Sequence, residues 1–90
     1  MKILGFRKYN EINSSMIRIK SKKIDGDEII YETHLTINGE GIDGLIYCGD
    51  DGKLECFQFF NKEGFCLSEI YGEDNINNLI IKKLKKIKNE

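Results

Sequence analysis

The 90-residue chain has no proline, tryptophan, alanine or valine, a single histidine and only three cysteines. Without proline, its turns must be made by residues that tolerate positive φ, chiefly glycine, asparagine and aspartate. An odd cysteine count does not build a disulfide framework and fits a reducing compartment. Also missing is any apolar run of membrane-spanning length. The stretch Met1 to Phe6 is too short for a secretory core, so a cytoplasmic protein is expected. The lack of alanine and valine stands beside 15 isoleucines, 12 lysines and 8 asparagines. Valine would serve a strand as well as isoleucine, so physics does not require this choice. It fits an AT-rich gene of a bacterium, phage or mobile island. Ninety residues hold one core and bury roughly 60% of the unfolded surface, which excludes a two-domain enzyme with an interdomain cleft. A single domain over 1–90 follows.

The net charge of −1 conceals a strong asymmetry. Residues 1–23 carry +6 and residues 75–90 carry +4, whereas residues 24–74 hold thirteen carboxylates against Lys53 and Lys62, for −11. An acidic centre lies between basic ends.

That centre reads as antiparallel sheet, because β-branched and aromatic runs alternate with turn dipeptides about every ten residues. The turns are Asp25-Gly26, Asn38-Gly39, Asp51-Gly52 and Glu63-Gly64. They delimit strands at about 15–23, 28–37, 42–49, 53–60 and 64–68, with Met1 to Phe6 as a further edge strand. In the first strand Met16, Arg18, Lys20 and Lys22 share one face and Ile17, Ile19 and Ser21 the other. The apolar run 57–60 (FQFF) reads as a central strand, and the polar residues 7–15 as a loop or one helical turn. From Asp74 the period changes: Ile76, Leu79, Ile80, Lys83, Leu84 and Ile87 recur at helical steps, with Asp74 as N-cap and lysines toward the C-terminus. The expected fold is α+β, an antiparallel meander of five or six strands with one C-terminal amphipathic helix packed on one face.

No motif dictates a reaction. Cys48, Cys56 and Cys66 with His34 have the composition of a zinc site, but structural zinc ligands come in close pairs that aim two sulfurs at one ion, and here seven and nine residues lie between successive cysteines. Buried small hydrophobes are the competing reading, and no metal or other cofactor is expected. A Cys–His nucleophile would need an orienting partner and an oxyanion-hole turn, neither of which the sequence displays. Alternation along 28–37 places His34 with Glu32 and Thr36 on a solvated face, so no catalytic residue is assigned. The Asp50-Asp51 pair opens like a calcium loop but lacks the bidentate Glu that closes one. The lysines of 82–88 raise direct nucleic acid binding, against which stand a pI of 5.9, the absence of helix-turn-helix and the lack of aromatics on that helix.

The acidic centre carries the functional expectation. Acidic loops at successive hairpin turns would form one anionic rim that captures a basic partner by steered association. The competing reading is that turns simply favour Asp and Glu. The partner-binding candidates are Asp43, Asp50, Asp51, Glu55 and Glu63 as counterparts for Lys or Arg, with exposed Tyr47 or Tyr71 as an anchor.

The stretch 41–64 (GIDGLIYCGDDGKLECFQFFNKEG), a strand, an Asp-Asp-Gly-Lys-Leu turn and an aromatic-rich return strand, resembles a hairpin of small immunity proteins from bacterial polymorphic and contact-dependent growth inhibition toxin systems. The resemblance covers about a quarter of the chain. It implies a non-enzymatic inhibitor, or antitoxin, that binds a cognate protein toxin, with an RNase or DNase as the expected target. Such families share no binding motif, so no functional residue transfers by position. The alternatives are a phage-encoded inhibitor or nucleic acid mimic, and a small nucleic-acid-binding regulator using the lysine helix. No membrane partner is expected.

Overall fold

Glycines and asparagines at positive φ let the isoleucine-rich runs turn back on themselves. In the computed structural model, which describes Ile12 and residues 14–88, four strands follow one another across a single antiparallel sheet in sequence order. They are β1 (Ser15–Asp25), β2 (Glu28–Ile37), β3 (Glu40–Gly49) and β4 (Leu54–Phe59). Asn38 and Gly39 both take positive φ, 49° and 87°, which matches the right-handed twist of a two-residue hairpin turn.

Register sorts the side chains into a covered and an open face. Ile17, Leu35 and Ile42 align in one row, Thr33, Gly44 and Phe59 in another, and Tyr31, Ile46 and Phe57 in a third. All of these lie on the covered face. Thr33, buried there, donates its hydroxyl to the Gly44 carbonyl at 3.0 Å, so its polar atom is satisfied. Gly44 makes room for Phe59: a Cβ at this position would lie 2.4 Å from both the Phe59 ring and the Gln58 carbonyl. Two helices close this face, α1 (Leu67–Tyr71) and α2 (Glu73–Lys88). Leu67, Ile76 and Ile80 are fully buried against the sheet, each such side chain contributing roughly 1.5–3 kcal/mol.

The fold is α+β: the described residues form four strands, fewer than the five or six expected of the chain, and two helices where one was expected. The expected fifth strand, 64–68, is reduced to a single bridge between Phe60 and Cys66, after which Leu67 enters α1. Leu67, Ile70 and Tyr71 stand three and four residues apart and all join the core, so helical spacing wins over the β-like composition of this segment. The C-terminal helix starts at Glu73, with Asp74 inside its first turn rather than capping it. Gly72, at φ 92°, separates the two helices, and its carbonyl accepts from the Ile76 N–H at 3.2 Å. The FQFF run, expected as a central strand, belongs to an outer strand among the described ones, β4, and its apolar residues divide between Phe57 and Phe59 on the core side and Phe60, just beyond β4, on the exposed side. In β1 a bulge leaves Lys20 without an opposite residue and pairs Ser21 with Glu32, so Ser21 and Lys22 exchange the faces that alternation assigns them. The Ser21 hydroxyl donates to Glu32 at 2.6 Å across the open face. The strand expected at Met1 to Phe6 and most of the 7–15 loop lie outside the described residues.

Candidate partner-binding surface

A meander sends alternate turns to opposite ends of its sheet. The β1–β2 and β3–β4 turns therefore share one end, and the β2–β3 turn and the β4–α1 loop share the other. One continuous rim does not form. Glu28 pairs with Gly49, which places Asp25, Asp27 and Glu28 beside Asp50, Asp51 and Glu55. At this end six carboxylates meet four lysines: Lys22, Lys23 and Lys53 from the strands and turns, and Lys85 of α2, which shares a pocket with Gly52, Lys53 and Leu54. None of the six is in an ion pair among the described residues. The turn itself is braced by backbone: Gly49 N–H donates to the Lys53 carbonyl at 2.9 Å, and Lys53 N–H to Asp51 Oδ1 at 2.9 Å.

A second bulge, opposite Tyr47 and Cys48, leaves Glu55 out of register and turns it toward Asp51. A Cβ on Gly49 would lie 3.0 Å from Glu55 Oε2 and 3.2 Å from Asp51 Oδ1, so both carboxylates lean over one glycine. Below them, burial pushes the Cys48 thiol above its usual pKa, and the negative charges of Glu55 and Asp51 push it further. Two carboxylates held this way repel each other, and a cation placed between them relieves that repulsion.

The expected site residues part company here. Asp50, Asp51 and Glu55 come together, joined by Asp25, Asp27 and Glu28. Tyr47 stands on the open face of β3 two residues before Gly49, opposite Cys56 and half-buried, within reach of that end. Asp43 lies mid-strand and is already engaged: His34 Nδ1 is 2.9 Å from its Oδ1, and Lys20 Nζ donates to the same oxygen at 3.3 Å. The His34 hydrogen bond, then those from Lys20, hold the Asp43 carboxyl below its usual range. Glu63 belongs to the opposite end, in the loop that Asn61 Oδ1 organises by accepting from the Glu63 and Phe65 N–H groups. Tyr71, expected to be exposed, is half-buried and packs against the core from the end of α1. The missed residues, Asp25, Asp27 and Glu28, were legible from turn parity alone, since first and third turns of a meander must coincide.

His34 and the cysteines assemble no joint site. His34 has an orienting carboxylate in Asp43, which the sequence did not reveal. Cys48 is buried on the other face, Cys56 is exposed two strands away, and Cys66 shares a contact of 2.9 Å with the Ser68 hydroxyl. Register bars Cys48 and Cys56 from facing each other across the hairpin, since Cys48 pairs with Leu54 and Cys56 with Tyr47. Among the described residues no helix is long and apolar enough to cross a membrane. No protein-family profile, curated protein or solved structure matches the chain, so the chemistry of this acidic end has to speak for itself.

Proposed function

We propose that this chain is a non-enzymatic, cytoplasmic immunity protein whose acidic end occupies the cationic active-site surface of a cognate protein toxin, an RNase or DNase. The observation that carries this reading is the convergence, at one end of the sheet, of six carboxylates from two separate turns, none of them in an ion pair among the described residues. Uncompensated charge of one sign destabilises a fold slightly and speeds encounter with a surface of opposite sign. Carboxylates on two rigid turns present spaced anions, as a nucleic acid backbone does, and Tyr47 supplies a half-buried aromatic beside them for the contact's apolar centre. The same surface would suit a phage-encoded mimic of nucleic acid, and a toxin gene beside this one separates the two.

The test is titration calorimetry against the toxin domain encoded next to this gene. Asp50→Lys with Asp51→Lys is expected to weaken binding by at least about 2 kcal/mol, the usual cost of disrupting a desolvated charge pair. Replacing Lys82 and Lys86, which line the β1 side of α2, by Gln is expected to change it little, because exposed charges away from a contact act only through screened fields. The opposite ranking transfers the function to the lysine helix.

A further inference from the structure

The second charged feature of the molecule is a groove of about 430 Å³ between the start of β1 and the C-terminal half of α2. Its cations come from two elements: Arg18 from β1, and Lys82, Lys83 and Lys86 from α2. No carboxylate lines it among the described residues, and none of the four cations is in an ion pair there. Ile17 and Leu79 belong to the covered side and give the groove an apolar floor. Met16, 65% exposed, reaches it from the other face of β1. The groove lies on one flank of α2, beside the start of β1, whereas the acidic β3–β4 turn meets the other flank, where Gly52, Lys53 and Leu54 face Ile81, Leu84 and Lys85.

We propose that this groove binds an acidic segment of a protein partner in which carboxylate side chains alternate with apolar ones. Charge complementarity selects an anionic occupant: the groove is lined by three lysines of α2 and by Arg18 from the open face of β1, with no residue of opposite sign among the described ones. The floor then distinguishes between anions. A single-stranded nucleic acid needs flat aromatic surfaces for its bases, and no aromatic residue lines the groove among the described residues. Aliphatic Ile17, Leu79 and Met16 instead suit Leu- or Ile-type side chains, which gain by leaving water. An extended peptide supplies both chemistries, since its alternate residues point to opposite sides, toward the floor and toward the lysines.

The test uses the full chain and fluorescence anisotropy with three labelled probes of equal length: a twelve-residue peptide alternating Glu and Leu, a twelve-residue poly-Glu peptide, and a twelve-nucleotide single-stranded RNA. The alternating peptide is expected to bind at least tenfold more tightly than either of the others. Lys82→Glu with Lys86→Glu, both exposed positions, is expected to lower its affinity at least tenfold. Met16→Ser should lower it severalfold without altering the weak poly-Glu binding. The Asp50→Lys, Asp51→Lys variant should bind the peptide as the parent does, which separates failure at this site from failure at the acidic end. Equal or tighter RNA binding, no saturable peptide binding at low salt, or a Lys82→Glu, Lys86→Glu variant that binds like the parent overturns the proposal.

Discussion

Phe59 and Phe60 are adjacent and chemically identical, yet one is fully buried and the other 52% exposed. The sheet alternates them to opposite faces, and only the Phe59 face lies under α1 and α2. The same division runs along β1. Residues 15–19 alternate between buried or half-buried and exposed positions, whereas from Lys20 to Asp25 every residue is exposed, including Ile24 at 68%. Strand pairing continues through both halves, so hydrogen bonding does not decide which side chains are buried. A covering element does, and the uncovered part of the hairpin is free to carry the carboxylates that face solvent.

The sharpest way to break this comparison is to truncate both rings. Phe59→Ala should cost about 3–5 kcal/mol in urea denaturation, the usual loss for a large buried aromatic that leaves a cavity. Phe60→Ala should stay within about 0.5 kcal/mol. Similar losses at the two positions would mean that the open face is covered as well. A smaller effect comes from overfilling the covered face. Gly44→Ala should destabilise by about 1–3 kcal/mol, because the new methyl meets the Phe59 ring and the fixed carbonyl of Gln58.

The smallest effect belongs to the open face and is read through pH. The Asp43 carboxyl is held below its ordinary value of 3.8, first by His34 and then by Lys20. A carboxyl with a lowered folded pKa stabilises the fold above its unfolded value, and the contribution is lost as pH falls through the folded one. Asp43→Asn should therefore be slightly less stable than the parent at pH 6, and the two stability curves should converge below about pH 3.8. A gap that widens on acidification would show that Asp43 does not act through its charged form.

Most of the sheet was readable because its turns are local chemistry. Gly26, Gly39, Gly52 and Gly64 all take positive φ where the dipeptides placed them, and the second strand spans 28–37 as expected. What escaped were features set by nonlocal partners. The strand expected at 64–68 became a bridge and a helix because Leu67 and Ile70 find the core only on a helical path. The face assignment beyond Lys20 failed because a bulge depends on the register of β2 and leaves no local signature. In the candidate site, Asp50, Asp51 and Glu55 were found as turn residues. The engagement of Asp43 was not legible because its neighbours, His34 and Lys20, lie on other strands. The half-burial of Tyr71 was not legible because it depends on α1 lying against the sheet.

Both bulges occur in the outer strands of the described sheet, each at the charged residue it leaves unpaired, Lys20 in β1 and Glu55 in β4. Outer strands present backbone groups on which another molecule's strand can build, the route by which sheet proteins coalesce into insoluble assemblies. A bulge interrupts the regular spacing such growth requires, and a charge there makes an approaching identical edge repulsive. On β1 this confines an intact backbone template to the few residues before Lys20, beside the groove. Regular stacking through these two strands is thus interrupted, and the protein should remain dispersed at concentrations where a flat, uncharged edge would nucleate fibrils.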